Sequence, residues 1–291
     1  MKSSVASEKS IAARKRKDKI YQGLFLLATM FGVAVLAILI LDILRKGGSA
    51  LDFNFLNSFP SRFPEKAGIK AAIFGTLWVI GLTAPIAFIV GVGTALYLEE
   101  YAKKNWFTRL IQTNISNLAG VPSIVYGLLG LTIFVRLFAL ERSVMAGALT
   151  MALLVLPVII VASQEALRSV PDSLRHASFA LGATKWQTIV KVILPSAIPG
   201  IITGNILALS RAIGETAPLV VVGAAAFIAF TPTNALDQFT VLPIQIYNWI
   251  ARPQEEFHTL AAGGILVLLA ILLTMNAVAV FIRNKFQKKM D

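Results

Sequence analysis

Arg211 and Glu215 are the residues whose types and spacing could do chemistry in this chain. They lie in the run LSRAIGETAPL, inside a stretch apolar enough to sit in a membrane. A spacing of four predicts that they share one helical face and can pair. Ionised groups at membrane depth are costly, and they mark either an interior ion pair or a substrate path. Arginine suits phosphate or another oxyanion, because its planar fork donates two hydrogen bonds at once. Glu215 would moderate that attraction, since a conducting site must also release its ion. Gly214 and Thr216 flank the pair and could bring backbone or hydroxyl groups close to the path. Two functions stay open: a charged constriction on an anion path, or an Arg–Glu lock between helices that never meets substrate. Counting ~1.5 Å per residue from Pro195 sets Arg211 about 24 Å up, beyond the midplane toward the outside.

Other chemistry finds little support in the residues. A G-x-x-x-x-G-K-[ST] phosphate loop is absent from the sequence, so ATP hydrolysis is not expected of this chain. Cysteine is absent too, which removes disulfides, thiol nucleophiles and cysteine metal sites. The two histidines, His176 and His258, fall on opposite membrane faces in the topology derived below. That argues against a histidine metal site or a Ser–His pair. No cofactor is expected in the chain itself.

The elements that must position the pair are membrane helices. Of 291 residues, 56% are hydrophobic and 14% charged, outside the range of soluble domains. Six apolar segments, at 21–44, 71–98, 111–139, 143–163, 196–224 and 259–282, each approach or exceed the ~20 residues that cross a bilayer. The expected fold is an all-α integral membrane protein with six transmembrane helices. The first is an uncleaved anchor (21–44) behind a mobile basic tail (1–20) that contains Arg14-Lys15-Arg16-Lys17. With the N-terminus inside, the cytoplasmic segments carry 18 Lys and Arg against 8 outside. Both termini are thus cytoplasmic, with a short tail at 284–291. The net charge of +12 reports this bias rather than nucleic-acid binding.

An outside loop (45–70) is expected to be partly ordered, and 225–258 to form a structured outer cap. Gly120-Val121-Pro122-Ser123 predicts a kink in the third span, and Pro157 lies in a short fourth span. The fifth holds Pro199, Gly200, Gly204, Gly214, Pro218 and Gly223. Irregular backbone at membrane depth is tolerated only against protein or a water-filled cavity, so this span should line something.

Between the fourth and fifth spans the chain spends about thirty residues (165–195) on the cytoplasmic side. Two short helices are expected there. Ser169 and Asp172 form a capping-box pattern, with Pro171 in the first turn. Gly182 supplies the stop, and Thr184 with Gln187 starts a second helix toward Pro195. Leu174, Ala177 and Leu181 share one face with Arg175 off it, a narrow apolar stripe suited to docking. An ordinary structured loop is the alternative. His176 is expected on that surface.

The stretch HASFALGATKWQTIVKVILP resembles the cytoplasmic signature of ABC importer permeases: Glu-Ala-Ala, three residues, Gly, nine residues, Ile-x-Leu-Pro. His176, Ala177 and Ser178 occupy the first places, Gly182 the glycine, and Val192, Leu194 and Pro195 the end. His176 for glutamate, Ser178 for alanine and Val192 for isoleucine are departures. The runs NLAGVPSIVYGLLG and LSRAIGETAPLVVVG resemble the permeases of the phosphate (Pst) system, the second being closest to the PstA subunit, with the sister PstC carrying a related run.

The resemblance covers about 71–283 and implies the type I ABC importer permease fold in a prokaryotic cell membrane. It also implies a PstC-like second permease, a PstB-like ATPase dimer that binds ATP and Mg, a PstS-like phosphate-binding protein outside, and membrane lipids around the chain. The helix bearing Ser169, Asp172, Leu174, His176, Ala177, Ser178, Leu181 and Gly182 would fit the ATPase. A permease for phosphonate, molybdate or sulfate would share the loop and fold. A proton-coupled secondary transporter using Glu215 as carrier is the alternative from another class.

Overall fold

A computed structural model describes residues 2–225 and 227–287 of the chain. Backbone crossing hydrocarbon must satisfy its own hydrogen bonds, and these apolar stretches do so as helices. In chain order they are α1 (Lys2–Gly48), α2 (Phe53–Asn57) and α3 (Lys70–Leu96), the last continued by a π turn to Tyr101. Next come α4 (Trp106–Leu118) and α5 (Ser123–Gly130), with a π turn carrying α5 on to Leu137. They are followed by α6 (Val144–Arg168), α7 (Asp172–Ala180) and α8 (Lys185–Thr188). A π turn (Ile189–Ile193) joins α8 to α9 (Leu194–Ile213), before α10 (Ala217–Val222), α11 (Leu242–Ile250) and α12 (Glu255–Gln287).

Five helices among the described residues are long and apolar enough to cross a membrane: 17–48, 70–101, 144–168, 185–213 and 255–285. The pair α4 and α5, bent by 106°, supplies the sixth crossing as a broken span. Six crossings return both termini to one face, which the basic residues mark as cytoplasmic.

Several boundaries differ from expectation for local reasons. The expected tail at 1–20 is helical from Lys2, because no glycine or proline interrupts the chain before Gly23. The expected kink at 120–123 is a full break, where Pro122 starts a new helix instead of bending the old one. The fourth span is not short: α6 absorbs Pro157 and runs on to Arg168. The fifth crossing starts at Lys185 and stops at Ile213, so the expected span to 224 is divided at Gly214. The last four residues of the 284–291 tail lie outside the described residues.

Helix α6 is the axis. Val144, Met151, Val155 and Ile159 are buried from its outer end to just past its middle, with Val79 and Ala87 of α3, Ala208 and Ala212 of α9, and Leu219 of α10. Ile160, Ala166 and Leu167 are buried below, with Leu98, Ile189, Ile193 and Ile201. Small residues permit this approach, as is usual where membrane helices touch. A Cβ added to Gly200 would lie 2.9 Å from the Ala166 Cβ, and one on Gly204 would lie 2.5 Å from that of Ala162. These contacts fix the antiparallel register of α9 on α6.

The outer loops are ordered caps. Phe55 of α2 packs with Ile69, Trp249 and Phe257 in a third buried cluster. The segment before α11 buries Phe239 and Val241 and presents the carbonyls of Asp237 and Ala235 to the free N–H groups of Val144 and Met145, at 3.0 and 2.8 Å. Asp237 also closes its own turn, accepting from the Thr233 and Asn234 amides at 2.8 and 2.9 Å. Those amides, Thr233 first, hold its carboxyl below the ordinary 3.8. The group therefore supports the turn fully above 3.8 and loses that contribution only as pH falls through the depressed value. Asp237→Ala should accelerate amide exchange at 233–237 and Met145 several-fold at neutral pH, measured by hydrogen–deuterium exchange. The unsubstituted chain should show no change in those protections between pH 7 and 5. Equal exchange in the variant would show that the carboxylate does not hold the cap.

Candidate translocation path and coupling surface

Arg211 lies in the last turn of α9, and Glu215 lies beyond the helix in the turn at 214–216. They do not share a helical face as the spacing predicts, yet they meet. Arg211 Nε donates to Glu215 Oε1 at 3.3 Å because the chain turns back on itself, with Gly214 and Glu215 amides bonded to Arg211 and Ala212 carbonyls at 3.2 and 3.1 Å. Gly214 and Thr216 bracket this turn, and the Thr216 carbonyl accepts from Val220 in α10. No other partner of the guanidinium is found among the described residues, so its two terminal amino groups are free. The Arg211 side chain is 67% exposed and that of Glu215 20%.

The pair lines a cleft with Leu118, Ala119, Tyr126, Leu154, Val155 and Val158. Extending the α6–α9 register from Gly200 and Gly204 brings Arg211 level with Val155. That is ~20 Å from the inner end of α6 and ~16 Å from its outer end. Arg211 is thus near mid-span, not beyond it toward the outside. The count from Pro195 overshoots because, in the same register, Pro195 lies below the inner end of α6. The α4–α5 break reaches this level too, and Tyr126 pins it by donating to the Leu118 carbonyl at 2.8 Å. Gly127 of α5 lies against Pro218 of α10, so the segments following the two breaks pack together. A small neighbouring cavity lined by Thr76, Thr83, Met151 and Leu219 has no charged group on its wall.

On the cytoplasmic side the interruption contracts to 169–184, because α6 extends to Arg168 and α8 begins the next crossing. The expected second short helix is therefore the foot of a span. The Ser169–Asp172 capping box does not form: Ser169 Oγ donates back to the Ala166 carbonyl at 2.8 Å, and Pro171 occupies the N-cap of α7. The Thr184–Gln187 box does form, with its two bonds at 3.3 and 2.9 Å. Gly182 has φ +80°, the left-handed stop that glycine takes without strain.

Leu174, His176, Ala177 and Leu181 are exposed, and Leu181 is 89% accessible. The flank beside this stripe is tied down. Ser178 shares a 2.9 Å hydrogen bond with Thr188, and Arg175 pairs with Glu100 and donates to the Leu167 carbonyl at 3.1 Å. One turn away Arg168 pairs with Glu99 at 2.5 Å, and Gln164 donates to Glu99 at 2.8 Å. Glu99 and Glu100 were not singled out from the sequence. Their signal was present: two adjacent carboxylates at the end of a span, in a cytoplasmic segment otherwise rich in lysine.

Comparison with known proteins decides what this architecture is. Residues 87–291 match the family described as binding-protein-dependent transport system inner membrane component. The chain belongs to that family. A relative from Mycobacterium tuberculosis, a phosphate transport system permease protein PstA 1, is 34% identical over 93% of this chain and 90% of its own. The Haemophilus influenzae phosphate transport system permease protein PstA is 31% identical over 95% of this chain and 96% of its own. Among solved structures, a bacterial alginate ABC transporter chain superposes with TM-score 0.66 at 16% identity, covering 94% of this chain and 96% of its own. A MetNI methionine ABC transporter chain superposes with TM-score 0.58 at 18% identity, over 74% and 94%.

The protein is therefore a multi-pass ABC importer permease of the cell membrane, a transport component and not an enzyme. It works with a second permease, a binding protein and ATPase subunits that use the ATP. In this permease α7 is held through Arg175 and Glu100, whose side chains are 20% and 7% exposed. Glu100→Gln leaves the guanidinium facing a neutral amide, at an expected cost of about 1–3 kcal/mol. Amide exchange in 172–180 should rise at least severalfold in the detergent-solubilised variant. Unchanged exchange there would show that Glu100 does not anchor α7.

Proposed function

We propose that this chain is the PstA-type subunit of an ATP-driven phosphate importer. It would act beside a PstC-like permease, above a PstB-like ATPase dimer that binds ATP and Mg, and below a PstS-like phosphate-binding protein. The observation that carries the substrate assignment is the free edge of Arg211 over the mid-span cleft. Glu215 engages Nε alone, which leaves the two terminal amino groups able to donate to two oxygens of one phosphate. Charge-assisted bonds in a site walled by Leu154, Val155 and Val158 are screened less than in water. Glu215 offsets the arginine charge so that the anion is held weakly enough to leave. The names of the relatives, phosphate transport system permeases at 31–34% identity, support the same substrate.

The drive enters through α7. Its exposed face, Leu174, Ala177 and Leu181 with His176 beside them, is apolar surface suited to the cleft of an ATPase. Ser178, bonded to Thr188, and Gly182, with its left-handed stop, set the position and end of that helix, while Ser169 and Asp172 lie at its start. ATP-driven closure of the two ATPases would push α7, and the push would pass through Arg175–Glu100 and Arg168–Glu99 to the inner ends of α3 and α6.

Arg211→Gln should lower phosphate uptake by roughly a hundredfold, through loss of two charge-assisted bonds, while the complex still assembles. Arg211→Lys should retain more uptake than the glutamine variant, keeping charge without the fork. Uptake of [32P]phosphate into cells or proteoliposomes tests this, and normal uptake by Arg211→Gln would remove Arg211 from the path. Gly182→Ile places a β-branched residue at φ +80° and should cost about 1–2 kcal/mol at the end of α7. Co-purification of the ATPase, or phosphate-stimulated ATP hydrolysis, should be lost. Survival of both would sink the docking role of α7.

A further inference from the structure

A second basic site lies at the cytoplasmic end of the bundle, one helix away from α7. Between the end of α3, the first turns of α4 and the end of α6 there is an open cleft. Its wall carries Lys104, Arg109 and Arg168, with Asn105 and Thr108 as further polar groups and Glu99 as its acid. Glu99 is engaged by Arg168, which also pairs with Glu165 at 3.1 Å. The side chains of Lys104 and Arg109 have no hydrogen-bond or ion-pair partner among the described residues.

The loop that presents them is held in shape. Asn105 Oδ1 accepts from the Thr108 amide at 2.8 Å, the Thr108 hydroxyl donates to the Lys103 carbonyl at 2.9 Å, and the Ala102 amide donates to the Tyr97 carbonyl at 2.8 Å. Lys104 in the loop and Arg109 in the first turns of α4 thus keep exposed donors with no protein acceptor, and Lys103 adds a third positive charge beside them. Such a group of like charges attracts an anion to the cleft.

The other face of α4 indicates which anion. Ile111 and Ile115 pack inward against the buried cluster around Leu167, while Trp106, Phe107 and Leu110 point out at 72%, 58% and 46% exposure. Aromatic side chains beside basic ones at the end of a membrane span are the pattern of the headgroup zone. A free anion would make no use of that apolar face, whereas an acyl chain attached to the anion would lie along it.

We propose that this cleft holds the phosphate headgroup of an anionic phospholipid of the inner leaflet. Lys104 and Arg109 bind the phosphate, and the acyl chains lie against Trp106, Phe107 and Leu110. Arg168 faces the same cleft and belongs to the network that anchors α7, so an occupied site stabilises the end of α6 on which that network rests.

The test uses the full chain in detergent micelles, stripped of native lipid, with bound lipid counted by native mass spectrometry. Phosphatidylglycerol should be retained in preference to phosphatidylcholine of identical acyl chains. Removing each cation should weaken that retention about fivefold, so K104Q/R109Q loses the preference. Lys285→Gln, on the same membrane face outside the cleft, should keep it. Both substituted side chains are exposed and unpartnered, so the thermal midpoint of the lipid-free variant should match the parent. Equal retention of the two lipids, or an undiminished preference in K104Q/R109Q, overturns the proposal. So does a third result: millimolar inorganic phosphate filling the cleft while phosphatidylglycerol retention stays undiminished.

Discussion

Hydrocarbon offers no hydrogen bond to an unpaired peptide, and the centre of this protein is arranged around two places where that rule is strained. At 119–122 and at 214–216 a crossing helix stops in mid-span. Each stop is made tolerable by local turns: Gly120 and Val121 amides bond to Asn117 and Leu118 carbonyls, and Gly214 and Glu215 amides to Arg211 and Ala212. The Leu118 carbonyl at the end of α4 accepts a second bond, from the Tyr126 hydroxyl. Proline restarts the chain both times, at 122 and 218, where its missing N–H costs nothing. Because α5 and α10 then pack on one another, the two breaks border one cleft rather than lipid. The charged pair can exist at mid-span because that cleft does.

The same constraint explains the central position of α6. A helix with breaks on both neighbouring crossings needs one continuous strut, and α6 runs unbroken from Val144 to Arg168. Its first amides are met by carbonyls of the outer cap and its last turn by Glu99. Between these ends, Leu154, Val155 and Val158 form a wall of the charged cleft. One rigid element thus touches the outer cap, the mid-span pair and the network that holds α7. Displacement of α7 can reach the cleft through packed, paired groups, with no loop of free length interposed along α6.

Membrane class, number of crossings and orientation were legible in the sequence because each depends on composition over twenty or more residues. Gly182 and the Thr184–Gln187 cap were legible because they depend on nothing beyond their own turn. Errors arose where a local pattern met a tertiary competitor. Ser169 and Asp172 fit a capping box, but α6 continues far enough for Ser169 to bond backward instead. Arg211 and Glu215 fit a helical pair, but the helix ends between them, and they meet across a turn. Helix count alone could not set the depth of Arg211, since the register on α6 is fixed by contacts at Gly200 and Gly204 that no single-chain periodicity shows. Glu99 and Glu100 lacked any motif. Their partners, Arg168 and Arg175, are about seventy residues away in sequence, and only the fold brings them together.

Geometry also bears on the two functions that the charged pair could serve. A lock between helices would use the guanidinium fork against both carboxylate oxygens, and it would bury both partners. Here one Nε–Oε1 contact of 3.3 Å joins residues of the same turn, and the arginine side chain stays 67% exposed. Such a contact fixes no second helix. Among the described residues, α9 is joined to α12 by Ser210 and Asn276 at 2.6 Å, one residue before Arg211, so the structural task near this point is already met by neutral groups. Glu215 therefore orients a cation whose remaining donors face open space, and orientation without saturation is what a transient oxyanion site requires. That difference weighs for the path and against the lock.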